Sequence, residues 1–374
     1  MVAVLLAVLG LGSYLGYKYV YPWWKSKPPP PSGRELQVHI LDVGPIEGDS
    51  ILIISPAGKV VLIDAGDTGK GKIVLDALKR YNVQQIDYFI ATHPHPDHIG
   101  AADEVIKASK VLNVIDNGLG PAVPPSLAPS QGKPVPPAPG KKPVAKKADK
   151  SNPVTKFYDE YKAAVSQSGA QYEVAEPGKS YDLGDGSRLT ILGPTQPLFT
   201  KEQMKSGGNE PNANSVVVRL DYGDFSMILP GDAEEQTEHR MLTKELDLKA
   251  TVLKIAHHGS KYATSQDFIN RVKPGVAIIS CGEWNRYGHP AQAVLDRLKA
   301  VNAKLYRTDL QGEITITTNG KLRGDKLYEV KTAKEAKSDV WTGRLAQKDD
   351  SSRAGFIAYG DFGPPPRTKQ QPGK

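Results

Sequence analysis

Residues 92–100, T-H-P-H-P-D-H-I-G, hold three of the chain's eight histidines together with an aspartate. His93 and His95 alternate along an extended segment, so both side chains face one way and can share one cation. Pro94 and Pro96 fix φ and keep that segment out of a helix. Asp97 and His98 then open a helical pattern, D-H-I-G-A-A-D-E-V-I-K, from which they reach a second cation beside the first. Three imidazoles and a carboxylate suit zinc, manganese or iron rather than calcium. The plain alternative is a polar loop that happens to be rich in histidine; three of eight histidines within nine residues argue against it.

Two further motifs each follow an apolar strand: P-G-D at 230–232 and H-H-G-S at 257–260. P-G-D is also ordinary turn chemistry, and a histidine doublet at a strand end is an ordinary surface feature. Their company with H-x-H-x-D-H makes Asp232, His257 and His258 candidates. Two cations about 3.5–4 Å apart activate a bridging water and clamp substrate oxygens. The R-Y-G-H-P loop at 286–290 adds Arg286, Tyr287 and His289. Its Pro290 is equally good helix-start punctuation.

The elements that must position these residues are short. L-Q-V-H-I-L-D-V, S-I-L-I-I-S and K-V-V-L-I-D read as strands by alternation and β-branching. Residues 72–81 form an amphipathic helix, and I-D-Y-F-I-A-T is a buried strand that delivers the histidine loop. His39 alternates with apolar neighbours and reads as a packed histidine. Beyond V-L-N-V-I-D come a helix over 154–168, strands at 171–174 and 189–192, and a hairpin over 215–230 turning at Y-G-D. Then follow a helix over 234–242, strand T-V-L-K-I-A, a helix over 265–271, strand V-A-I-I-S, a helix over 291–301 and two last strands. Runs of strands, each followed by helices, predict two sheets packed face to face with helices outside.

Cys281, the single cysteine, excludes an internal disulfide framework and a cysteine-based metal site. The net charge of +7 is uneven. Residues 1–34, 118–153 and 362–374 together carry twelve net positive charges, leaving the body about five negative. The basic balance therefore belongs to appendages that can approach an anionic polymer or lipid surface. Residues 1–24 are apolar for about the length of a membrane span and end in a Tyr/Trp cluster, which predicts an anchor, with a cleaved signal as competitor. A Pro-rich linker follows at 25–34. We expect membrane attachment through this segment, or secretion, with the body outside the cytoplasm. Residues 118–153, rich in Pro, Ala and Lys with few large apolar side chains, read as a disordered insert within one domain spanning 35–325. Residues 326–374 form an extension in which W-T-G-R-L and G-F-I-A-Y-G could add edge strands.

H-x-H-x-D-H after a short strand resembles the signature of the metallo-β-lactamase superfamily. L-D-V-G at 41–44, G-D-S-I-L-I at 48–53, L-I-D-A-G at 62–66, N-x-N-S at 212–215, P-G-D, H-H-G-S and R-Y-G-H-P occur in the order seen in the C-terminal hydrolase domain of ComEC-type DNA-uptake proteins. The resemblance implies an αββα sandwich and two divalent ions, zinc or manganese. It puts His93 and His95 on the first ion, Asp97 and His98 on the second, and Asp232 between them. His257 or His258 completes the second site, and we assign His257 there with His258 as an acid or substrate-orienting group. Asp97, His258 and His289 are the catalytic candidates. Asp64 resembles a carboxylate that holds a ligand histidine from behind. Asn214, Ser215, Ser260, Arg286 and Tyr287 are the substrate-binding candidates; Ser260 and Ser265 serve equally well as helix caps.

The chain departs from the pattern twice. The superfamily's third histidine on the first ion is absent, with Asn212 and Asn214 in its region, which favours manganese or coordination completed by substrate. The L-D-V-G-P-I-E-G-D loop is longer by two residues than in the relatives. H-x-H-x-D-H itself is intact, so the chemistry reads as competent. The leading expectation is a phosphodiesterase or nuclease acting on DNA. The alternatives are an exported esterase for small phosphodiesters such as phosphocholine head groups, and a membrane-tethered DNA-binding accessory with an idle site. No obligate protein partner is evident.

Overall fold

The computed structural model describes residues 35–121, 155–203, 210–244, 246–322, 324 and 326–344. The expected N-terminal anchor, the Pro-rich linker, nearly all of the 118–153 insert and G-F-I-A-Y-G lie outside the described residues. Among the described residues no helix is long and apolar enough to cross a membrane.

Fifteen described strands form two mixed sheets. The first is ordered β15(Glu329–Thr332)-β14(Ile314–Thr318)-β1(Leu36–Ile40)-β2(Ile51–Ile54)-β3(Val60–Ile63)-β4(Ile86–Ile90)-β5(Val111–Asp116)-β6(Gln171–Val174). It is antiparallel from β15 to β3 and parallel from β3 to β6. The second is ordered β13(Lys304–Arg307)-β12(Val276–Ile279)-β11(Val252–Lys254)-β10(Phe225–Leu229)-β9(Val217–Tyr222)-β8(Ser187–Gly193)-β7(Ser180–Gly184). Here β10 to β13 are parallel and the rest antiparallel.

Period-2 alternation decides what each strand buries. Val38, Ile40, Ile51, Ile53, Val61 and Ile63 of the first sheet meet Ile191, Val218, Leu220, Met227 and Val252 of the second in a central core. The opposite faces take helices. α1(Gly71–Arg80), α3(Ala102–Ala108) and α4(Lys156–Ser168) cover the first sheet through Val74, Leu78, Val105, Phe157 and Tyr161. α6(Glu235–Thr243), α7(Gln266–Val272) and α8(Gln292–Ala300) cover the second through Met241, Phe268, Val272, Val294 and Leu298. The fold is the expected αββα sandwich. His39 is buried against Tyr81 and Thr315, and Cys281 is a buried free thiol.

Three elements differ from the sequence reading. The helix expected over 97–107 is two pieces, α2(Pro96–Ile99) and α3, broken at Gly100 and Ala101. Gly100 lies against the Asp67–Thr68 backbone, where a Cβ would come within 2.4 Å of the Thr68 nitrogen. The break lets the Ala101 N–H donate to the Gly66 carbonyl and pins the segment beside the first sheet. Strand β7 was not expected, because S-Y-D-L-G offers only Tyr181 and Leu183 to the core at a sheet edge. The described part of W-T-G-R-L, residues 341–344, is not a strand, whereas β15 extends the first sheet past residue 325.

Candidate metal centre

The parallel strands of both sheets end at one rim of the sandwich. Asp64 follows β3, residues 92–98 follow β4, Asp232 follows β10, His257 and His258 follow β11, and the His289 loop follows β12. Backbone hydrogen bonds sew these loops together: Val216 N–H to the Thr92 carbonyl, His257 N–H to the Gly231 carbonyl, and Ala65 N–H to the His98 carbonyl. At Gly231 (φ +56°) a Cβ would lie 2.9 Å from Cβ of Thr92, so glycine there lets the P-G-D turn approach the histidine loop.

Asp97, His98, Asp232 and His258 offer ligand atoms that all lie within 4.8 Å of one another. His98 Nε2 is 3.2 Å from Asp232 Oδ1, and His258 Nε2 is 3.7 Å from that oxygen and 3.3 Å from Asp97 Oδ2. His98 Nε2, His258 Nε2 and Asp232 Oδ1 are buried without a hydrogen-bond partner. Three unsatisfied polar atoms facing one another in a dry interior would cost several kcal/mol as a group, at roughly 1–3 kcal/mol each. A divalent cation satisfies all three at once, so these residues fit the ion the sequence implied. On the other carboxylate oxygen, Oδ2, stand His93 Nε2 at 3.9 Å and His257 Nε2 at 3.7 Å. His95 joins His93, Nδ1 to Nε2 at 2.9 Å.

Of the two adjacent histidines, the structure gathers His258 with the other candidate ligands. His258, not His257, stands with Asp97 and His98. The cause is a backbone in which both residues adopt positive φ, at +49° and +53°, so the two rings diverge to opposite sides of Asp232. His258 Nδ1 then donates to the Ser280 carbonyl at 2.9 Å, leaving Nε2 to face Asp97 and Asp232. Their electrostatics diverge too. Burial depresses both imidazoles, but at His258 the carboxylates of Asp232, Glu47 and Asp49 outweigh it and push the group up to about 9. At His257 burial prevails over Asp232, and the group falls to about 4. For His98 the same contest of burial against Asp232, Asp64 and Asp97 ends well above the ordinary value. Asp97 and Asp232 are held below the usual carboxylate range: burial opposes ionisation, and His98 with His258 overcomes it. His93 and His95 are lowered, first by burial.

Asp64 is where the sequence put it. Its Oδ2 accepts from His98 Nδ1 at 2.7 Å and from the Thr92 hydroxyl at 2.7 Å, and its Oδ1 from the Thr92 N–H at 2.8 Å. His289 also reaches the rim. Its Nδ1 donates to Glu47 Oε1 at 2.8 Å, and its ring lies 5.5 Å from that of His257. Glu47 comes from the lengthened 44–48 loop and had no sequence signal of its own. Arg286 and Tyr287 are exposed beside it, with Tyr287 stacked on His289.

Three substrate-binding candidates are corrected. Asn214 is fully buried, its amide exchanging hydrogen bonds with the Phe199 backbone and donating to the Glu210 carbonyl, so it anchors a loop. Ser215 is buried and its Oγ accepts the Asp232 N–H at 3.2 Å, which positions the aspartate rather than a substrate. Ser260 is buried within the turn after His258, accepting from the Tyr262 N–H. Ser265 caps α7, accepting from Phe268 N–H. Behind His258, Lys254 and Asp49 form a buried ion pair. A lysine on the apolar strand T-V-L-K-I-A was the legible signal for it.

A family model described as "Metallo-beta-lactamase superfamily" matches residues 43–174, which include H-x-H-x-D-H and Asp64. The chain carries a metallo-β-lactamase superfamily domain. It resembles ComEC-type competence proteins: it is 29% identical over 315 residues to ComE operon protein 3 of Bacillus subtilis, covering 79% of this chain and 34% of that one. It is 26% identical over 285 residues to Recombination protein 2 of Haemophilus influenzae, covering 75% and 28%. The metallo-β-lactamase chain thus spans about a third of the length of these relatives. Among solved structures it is similar to the metallo-β-lactamase fold protein YhfI of Bacillus subtilis, at 11% identity and TM-score 0.43, over 73% of this chain and 96% of that one.

Proposed function

We propose that this chain is a divalent-metal phosphodiesterase that cleaves DNA. The observation that carries the reading is the set of buried, unpartnered ligand atoms of His98, Asp232 and His258, with Asp97 beside them. When bound, two divalent cations supply a hydroxide near neutral pH and neutralise charge on phosphate oxygens. Asp97, His98, Asp232 and His258 would hold one, and His93 and His95, with Asp232, would help hold the other. The rest of the chain holds these groups still. Asp64 fixes the His98 ring and Ser280 the His258 ring, so each presents Nε2. Glu47 engages His289 Nδ1 and leaves its Nε2 as the nitrogen that protonates a departing oxygen.

The preference for a nucleic acid over a small head group rests on the rim. Tyr262, Trp284 and Tyr287 are 40%, 55% and 46% exposed, and all sit on the two loops that carry His257–His258 and His289. Lys261 and Arg286 adjoin them. Aromatic faces interleaved with basic groups stack bases and hold phosphates. Aromatics are only 7% of the chain, yet these three gather where a strand would enter. The competence-protein names of the relatives point the same way.

The test is cleavage of single-stranded DNA by the purified chain with Mn²⁺, beside an Asp97→Ala, His98→Ala variant. We expect cleavage that the double substitution reduces at least about a hundredfold, as removal of unit catalytic groups does. No cleavage by the wild-type chain, or equal cleavage by the variant, defeats the proposal. Hydrolysis of phosphocholine esters in preference to DNA would replace it with the head-group reading.

A further inference from the structure

Asn212 stands in the region where the superfamily's third histidine on the first cation is expected. We infer that His257 takes over that coordination place, so that the two adjacent histidines of H-H-G-S serve different cations. This deepens the two-cation reading above and rests on it.

Asp232 divides its neighbours by oxygen. His98 and His258 approach Oδ1, at 3.2 and 3.7 Å, whereas His93 and His257 approach Oδ2, at 3.9 and 3.7 Å. A bridging carboxylate that gives one oxygen to each ion would therefore have His93 and His257 on the same ion. His257 presents Nε2 to that side, while its Nδ1 faces Glu234 Oε1 at 3.9 Å. Second, Asn212 adjoins His257 and His95. Its amide nitrogen is 3.3 Å from His257 Nε2, its side chain hydrogen-bonds His95, and its Oδ1 is buried with no hydrogen-bond partner. An unpaired carbonyl oxygen beside the imidazoles of His95 and His257 has the character of an additional neutral donor to an ion. Third, the backbone that separates the rings is strained. Left-handed conformation is unfavourable for a non-glycine residue, and such strain persists where its surroundings or function require it. Here it is spent twice in succession, at His257 and His258.

The two sites then differ in charge. Asp97 and Asp232 both offer a ligand carboxylate to the His98–His258 side, whereas on the His93–His257 side the shared Asp232 supplies the facing carboxylate oxygen and Glu234 stands behind His257 at Nδ1. The more anionic site binds a dication more tightly, so the ions enter in order.

Calorimetric titration of the full chain, stripped of metal, with Mn²⁺ and separately with Co²⁺ tests this. Two binding classes are expected in the wild-type chain. His257→Gly fits the left-handed backbone and should retain the tight class while weakening the other at least about tenfold. His93→Ala should weaken that same class, and the two substitutions together should do little more than either. His258→Ala should strike the tight class instead. The Co²⁺ absorption of the weaker site, lost in His257→Gly, supplies a readout independent of activity. If His257→Gly binds two ions with wild-type constants, or loses the class that His258→Ala loses, the inference falls while the phosphodiesterase reading stands. If the wild-type chain binds no ion, both fall. Should His257→Gly fail to fold, the difference Fourier at the manganese edge for wild-type crystals decides: density within bonding distance of His257 Nε2 supports the inference, and density away from it overturns it.

Discussion

At the scale of single residues, Asp232 organises the site because one buried carboxylate must satisfy ligands on two sides. Its backbone N–H is held by Ser215 and its oxygens meet four imidazoles. The candidate ligands are only half of this arrangement; the other half keeps rings from turning. Asp64, fully buried and itself at φ +59°, receives His98 Nδ1 at 2.7 Å. Asp64→Asn should lower divalent-metal affinity roughly 10–100-fold, the usual effect of removing a carboxylate behind a ligand histidine. Calorimetry alongside circular dichroism checks it: unchanged affinity in a folded variant would show that Asp64 does not orient the ring. The ligands were legible because their spacing is peculiar to metal chemistry. The supporting residues were not. Glu47 and Ser280 act through contacts between distant segments, and nothing in their local sequence encodes the partner. Asn214 and Ser215 misled for the converse reason, since polar side chains beside a catalytic motif are as readily spent on holding its loop.

At the scale of elements, the strands were readable from alternation, and the helices from their apolar stripes. What the pattern missed were breaks and edges. Gly100 splits a continuous helical periodicity because of a neighbour thirty residues upstream. β7 has too few apolar residues to announce itself. The join between α6 and α7 is a further tertiary feature. Glu238 of α6 is buried and accepts the N–H groups of Thr264 and Ser265 at the start of α7. Burial outweighs those hydrogen bonds and raises its carboxyl to about 7. A carboxyl raised in the folded state binds its proton more tightly there than in the unfolded chain. Its contribution is complete below the unfolded value near 4.5 and is lost as pH rises through about 7. Relative to Glu238→Gln, the metal-free chain should therefore lose on the order of 3 kcal/mol between pH 4.5 and pH 7.5. Denaturant midpoints across that range measure it, and parallel curves for the two proteins would contradict the assignment.

At the scale of the whole molecule, two sheets run their parallel strands to a common rim, and this convergence makes the centre possible. Each sheet supplies one half of it: β3 and β4 bring Asp64 and H-x-H-x-D-H, and β10 to β12 bring Asp232, the histidine pair and His289. The apolar interleaving of the sheets holds the halves in register. The aromatic and basic side chains of the β11 and β12 loops are the feature on which the proposed preference for nucleic acid rests. Everything turns on whether two ions lie either side of Asp232. Anomalous diffraction from crystals grown with Mn²⁺ measures this directly. The account predicts two peaks about 3.5–4 Å apart, one contacted by Asp97, His98 and His258 and the other by His93 and His95, with Asp232 shared. No peak at Asp232, or a lone ion held elsewhere on the chain, would contradict it.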